Sequence, residues 1–133
     1  MTTLPADDPA LKDEALLRAL ADTLTEDGGD LLGTREDAVT WLRDGALLPA
    51  DAALSGSEHG ALLRLRDALR DVLAVRAAGG ASTDASARLT RALADGRLVV
   101  TIAPGGAAGL ASSARASYSN LVAVIAIAVA QAW

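Results

Sequence analysis

The sequence predicts an α+β domain that is mainly α, with about five helices packed together and one small β-hairpin before the C-terminal helix. Three observations carry this expectation. Of 133 residues, 31 are Ala and 22 are Leu, two residues that lose little on entering a helix. Apolar positions recur at helical spacing in several stretches bounded by capping residues or glycine. One five-residue run, Leu98-Val99-Val100-Thr101-Ile102, is β-branched instead and is followed by the turn signal Pro104-Gly105-Gly106. The length suits one domain, so residues 1–133 form a single expected unit, with 1–8 as a flexible N-terminus.

The first helix is expected to start at Asp8-Pro9, an N-cap followed by proline at the first helical position. Leu16, Leu17, Leu20, Ala21 and Leu24 form its apolar stripe, and Gly28-Gly29 ends it. Leu31-Leu32-Gly33 crosses to a second helix capped by Thr34, with Asp37 in the place of the usual Glu of a capping box. That helix buries Ala38, Val39, Trp41 and Leu42 and stops at Gly45. After a loop with Ser55 and Ser57 as candidate caps, a third helix runs over 58–78. Leu62, Leu65, Leu69, Val72 and Leu73 line its inner face. Arg64, Asp67, Arg70 and Asp71 alternate in sign on its outer side, where pairs three or four apart attract. A fourth helix, 83–94, buries Leu89, Ala92 and Leu93 before Gly96. The strand at 98–102 is answered by a returning strand within 109–117. The final helix, from 118 or 119 to 132, is apolar nearly all round, so it sits in a core or is covered by another chain.

Composition narrows the chemistry. With no Cys there is no disulfide, thiolate nucleophile or zinc ribbon, and the single His59 leaves no His-rich metal site. A net charge of -5 opposes a duplex-binding surface, which needs clustered Lys and Arg. Residues 1–9 are polar and acidic, without a leader's basic and apolar regions. The longest apolar run, 121–130, is about half the ~20 residues of a membrane span. Cytoplasmic residence, no membrane and no direct nucleic-acid binding are therefore expected.

The side chains offer few catalytic groupings. Neither Gly79-Gly80 nor Pro104-Gly105-Gly106 matches a phosphate-binding fingerprint. His59 lies among Ser55, Ser57 and Glu58, as a solvated residue of a capping region or as a base. Glu26, Asp27 and Asp30 surround a glycine loop, solvated or holding a hard cation, although their spacing matches no EF-hand. No metal, cofactor or catalytic residue is assigned. Asp22 and Thr23 adjoin the apolar stripe of the first helix and must find partners, either by capping a neighbouring element or by lining a small-molecule pocket. Trp41, one of three aromatic residues, is a core anchor or a stacking platform. Asp22, Thr23 and Trp41 are the candidate ligand-binding residues.

The order of segments resembles a known family. Ala19-Leu20-Ala21-Asp22-Thr23-Leu24 resembles the "aLdfvNTl" opening of the ABATE domain, with Asp22 where that pattern has Asn. Asp30 to Asp37, followed by Trp41-Leu42, is similar to its "dLLatpedlaaWL" segment, and Leu62 to Leu73 to its "LraLReal" helix. The final helix, with Ala123, Ala126 and Ala130, resembles the alanine-rich helix that closes the domain. The similarity extends from about residue 15 to the end. It implies a regulator of stress-induced transcription, in which this domain is usually followed by a CGNR zinc finger that supplies Cys ligands and a basic DNA-contacting surface. This sequence ends at Trp133, where that module would begin. The expected function is a non-enzymatic regulatory domain without its own DNA-binding module, sensing a small ligand or dimerising through the apolar C-terminal helix. The alternative is a small stand-alone cytoplasmic enzyme using Asp22, Glu26 or His59.

Overall fold

The computed structural model describes residues 9–112 and 117–133, so the expected flexible segment 1–8 lies outside the described residues. Five helices occur, α1 (Pro9–Ala21), α2 (Arg35–Asp44), α3 (Gly56–Ala77), α4 (Thr83–Leu93) and α5 (Ser117–Ala132). Two strands, β1 (Leu98–Ile102) and β2 (Ala108–Ser112), form an antiparallel hairpin between α4 and α5. The fold class is the expected one, α+β and mainly α.

Caps explain where most helices begin. The Thr34 hydroxyl accepts from the Asp37 N–H at 3.1 Å and starts α2. Ser55, rather than Ser57, caps α3 in a full capping box: its hydroxyl accepts from the Glu58 N–H, and the Glu58 carboxylate accepts from the Ser55 N–H. Ser82 caps α4 through the Ala85 N–H. Two boundaries differ from expectation. Helix α1 stops at Ala21, about two turns before Gly28, because Thr23 turns both its N–H and its hydroxyl onto the Leu20 carbonyl. The returning strand is Ala108–Ser112, earlier than expected, because the turn closes within three residues. There the Gly106 N–H donates to the Ala103 carbonyl and the Ala103 N–H to the Ala107 carbonyl, with Gly106 at φ +91°. This is a type I turn with a glycine bulge, the common solution for a three-residue hairpin loop.

The core is aliphatic. Leu17, Leu20, Leu32, Leu42, Leu62, Leu65, Leu69, Leu121, Val122 and Ile125 are completely buried. Each such side chain contributes about 1.5–3 kcal/mol relative to exposure. Helix α3 packs on α1, α2 and α4, while α5 packs on α1, α4 and β2. Tyr118, Leu121, Val122, Ala123, Ile125 and Ala128 of α5 are buried by the chain itself, and Val124, Ile127 and Val129 are half-buried.

Gly96, between α4 and β1, lies against the backbone of α5. A Cβ placed there would stand 2.8 Å from the Ala123 nitrogen and 2.9 Å from its Cα. The close approach lets α4 and the root of the hairpin sit directly on α5. Gly96→Ala is therefore expected to lower unfolding stability by about 1–3 kcal/mol, the cost of overpacking a rigid contact. Gly105→Ala, with nothing within 4 Å of the added methyl, should stay within about 1 kcal/mol of the parent. Urea denaturation of the two variants side by side checks the contrast.

Candidate functional site

Two polar regions stand out, one inside the fold and one at its surface. The inner one is built on α3. His59, Arg66 and Arg70 are seven and four residues apart, so they share a face of the helix. All three reach the segment between α1 and α2. Arg66 is 3 % exposed, and its guanidinium donates to Asp30 at 2.6 Å and to Asp67 at 3.0 Å. Asp30 also accepts from the Leu32 N–H at 2.9 Å. The His59 Nε2 donates to the Leu32 carbonyl at 2.7 Å, which fixes that nitrogen as the protonated one. Arg70 donates to the Ala21 and Leu24 carbonyls at 2.8 and 3.0 Å, taking acceptors left free where α1 ends. Arg70 is thus half-buried in a structural contact, not part of a solvated outer stripe. Burial raises the proton affinity of Asp30, but the bonds from Arg66 and the Leu32 N–H outweigh it and hold the carboxyl below its ordinary range. Burial disfavours the charge of Arg66, but its bonds to Asp30 and Asp67 outweigh it and hold the guanidinium protonated.

The surface region is a groove of about 610 Å³ between α3 and α4, lined by Arg64, Asp67, Arg88, Arg91 and Asp95 beside three alanines. Its charges are unequally engaged. Arg88 is clasped by Asp71 at 2.6 Å and Asp84 at 3.0 Å, and Asp67 is held by Arg66. Arg64 and Arg91 have no carboxylate partner among the described residues. Tyr118, at the start of α5, is 7 % exposed and lies within electrostatic reach of Asp95, Arg64 and Glu58. Its hydroxyl has no hydrogen-bond partner among the described residues. Burial, with the nearby Asp95 charge, pushes the phenol up to about 12. A buried hydroxyl left unpaired costs about 1–3 kcal/mol.

The three candidate ligand residues are not brought together. Thr23 is completely buried and spends its hydroxyl on the Leu20 carbonyl at 2.7 Å. Asp22 is exposed at the rim of a cleft of about 250 Å³ with Arg18 and Arg70. Trp41 is half-buried and packs against the core from α2. Asp22, Glu26 and His59 share no hydrogen bond and no cleft; Glu26 is exposed, and His59 is committed to Leu32. Asp27 bonds to Thr25 and Gly29, and Asp30 to Arg66, so the acidic loop folds on itself and onto α3. Among the described residues no three His, Asp or Glu side chains are grouped to hold a metal ion. The groove was missed because its lining comes from alternate turns of two helices. In sequence, Arg64 and Arg91 look like ordinary surface charges.

Comparison with known families settles the relationship. The model of the ABATE family, described as "putative stress-induced transcription regulator", matches residues 8–133. The chain belongs to the ABATE family. No curated protein and no solved structure matches it. The family description points to a regulator and not to an enzyme. In this ABATE domain the Asp30–Arg66 pair joins two of the segments that carry the family pattern, 30–37 and 62–73. No described helix is long and apolar enough to cross a membrane.

Two measurements follow. Asp30 binds its proton less readily in the folded chain than in the unfolded one, so its share of stability is present at neutral pH. That share is lost as pH falls below about 4. Asp30→Ala should cost about 2–4 kcal/mol at pH 7, because it leaves the buried Arg66 with only the exposed Asp67 as a carboxylate partner, and the deficit should shrink toward pH 3. Urea titrations at both pH values test this. Tyr118 is the only tyrosine. An absorbance titration of the folded chain should therefore show one phenolate transition near 12, moving to about 10 once the chain is unfolded.

Proposed function

We propose that this domain is the sensing part of a stress-response transcription regulator and binds a small anionic metabolite in the groove between α3 and α4. One observation carries the reading: the groove between α3 and α4 holds two guanidiniums, Arg64 and Arg91, that no carboxylate engages among the described residues. Guanidiniums are donors only, and two of them side by side are the set that recognises a carboxylate or phosphate. Asp95, on the same wall, favours ligands that also carry a donor. The volume suits a compact metabolite, and pockets of 300–1,000 Å³ are the usual range for such ligands.

Occupation of the groove would join two helices. Arg64 and Asp67 come from α3, and Arg91 and Asp95 from α4 and the turn after it. A ligand that engages them stabilises the packing of these helices by its binding free energy, and this is how a small molecule biases a domain's conformation. DNA contact is left to other parts of the regulator, since the net charge of this chain is -5.

Thermal unfolding with succinate, citrate, inorganic phosphate and phosphoserine tests the reading. At least one should raise the midpoint, by the equivalent of about 2.7 kcal/mol at a hundredfold excess over its Kd. The Arg64→Ala, Arg91→Ala double variant should lose that response. Tyr118→Phe should leave the ligand-free domain as stable or up to about 1–2 kcal/mol more stable, by removing an unpaired hydroxyl. No response to any of the four anions, or a response that survives the double variant, would overturn the proposal.

A further inference from the structure

The hairpin is the least covered regular element of the fold. Leu98, Val99, Val100, Ile102 and Leu110 are 40, 43, 65, 65 and 39 % exposed. Its register decides where the backbone points. Ala103 donates to the Ala107 carbonyl, so the alternation of an antiparallel ladder makes Thr101–Gly109 and Val99–Ala111 the hydrogen-bonded pairs. Leu98, Val100 and Ile102 therefore turn their N–H and C=O groups away from β2, to an edge that no other described element pairs with. Their side chains lie on one face, with Leu110 across the ladder. Apolar edges are normally blunted by Lys, Pro or a bulge along the strand. β1 has none of these, and Leu98 to Ser112 contains no charged residue.

We propose that β1 is a dimerisation strand, pairing antiparallel with β1 of a second copy across a two-fold axis through Val100. In this register Val100 faces its own counterpart, and Leu98 faces the residue equivalent to Ile102. All outward N–H and C=O groups of the three residues then gain partners, and two hairpins become one four-stranded sheet. A two-fold contact requires a self-complementary surface, and a strand edge centred on one residue supplies it. Charge favours a second copy as the occupant. Each chain carries -5, yet the hairpin carries none of it, so two acidic molecules can meet along a neutral strip. The two Arg97 side chains flank opposite ends of the paired strands, about 20 Å apart at strand rise, well beyond a screening length of about 8 Å. The apolar patch, on the order of a few hundred Å² per copy, falls short of the roughly 800 Å² per partner of a standard stable interface. The dimer is accordingly weak and concentration-dependent. It is independent of the ligand reading, since neither Arg64, Arg91 nor Tyr118 lies on β1.

Sedimentation velocity between about 1 μM and 1 mM spans the range where weak dimers dissociate. The mass should rise from 13.4 kDa toward twice that value across it. Val100→Pro removes the outward N–H on the axis and spares the bonds to β2. It should abolish the rise while the helical circular dichroism stays unchanged. Hydrogen exchange on the unaltered chain gives a second readout: the amides of Leu98, Val100 and Ile102 should slow with concentration, while those of Val99 and Thr101 are protected throughout. A mass fixed at 13.4 kDa over the whole range would overturn the proposal. So would a dimer that persists in Val100→Pro but disappears in Ile127→Lys, which would place the contact on α5.

Discussion

The ion pair between Arg66 and Asp30 is the contact on which the arrangement of helices depends. Helix α1 ends early, and the chain must then cross to α2 through a loop rich in glycine and acid. Such a loop has little apolar surface of its own to hold it. Arg66 grips the carboxylate at its end, Arg70 takes the two carbonyls at its start, and His59 holds Leu32 beyond it. Three side chains along one face of a single helix thereby fix where α1 stops and where α2 starts. Removing either member of a buried pair strands the other, so the contact is costly to break even where its net contribution to stability is small. Leu32, the first fully buried residue after the loop, enters the core only because Asp30 and His59 hold the backbone on both sides of it.

The groove and the hairpin occupy one end of the molecule. Asp95 lies on the wall of the groove, Gly96 seats the chain on α5, and β1 begins two residues later. On the other side the hairpin returns to Tyr118 at the start of α5. A ligand in the groove would lie beside Asp95, at one root of the hairpin. The family description of a transcription regulator asks for some element whose state depends on a signal. This end of the fold offers a binding cleft and an uncovered strand in physical continuity.

The sequence disclosed the local rules well and the long-range polar contacts poorly. The β-branched run at 98–102, the glycine-bearing turn and the apolar final helix each follow from residue chemistry acting over a few positions, and each occurs where expected. Thr34 and Ser55 cap their helices for the same reason. The family pattern added the order of segments. What could not be read was the destination of Arg66 and Arg70, because a basic residue beside an acidic one on a helix looks the same whether it is solvated or locked against a loop 36 residues away. The end of α1 was hidden likewise. Gly28-Gly29 is the stronger stop signal, but Thr23 and Arg70 act together across space to stop the helix sooner. Asp22, Thr23 and Trp41 drew notice as polar or aromatic groups near apolar stripes. The groove, by contrast, is made of alanines and arginines that no local pattern distinguishes.

The two ends of the hairpin meet at one point. The Ser119 hydroxyl donates to the Asp95 carbonyl, so the chain leaves the helical body and re-enters it within a single hydrogen bond. In architectural terms the hairpin is an appendix with a closed neck, and the five helices would be connected in the same order if the chain passed straight from 95 to 119. A segment joined in this way can lengthen, shorten or change its sequence at the turn and along the outer edge of β1 with little effect on the helices, which it touches through β2 on α5, since loop closure across so short a gap is nearly independent of what hangs from it. Within one fold, assembly can thus evolve on one part while the packing of the helices stays fixed.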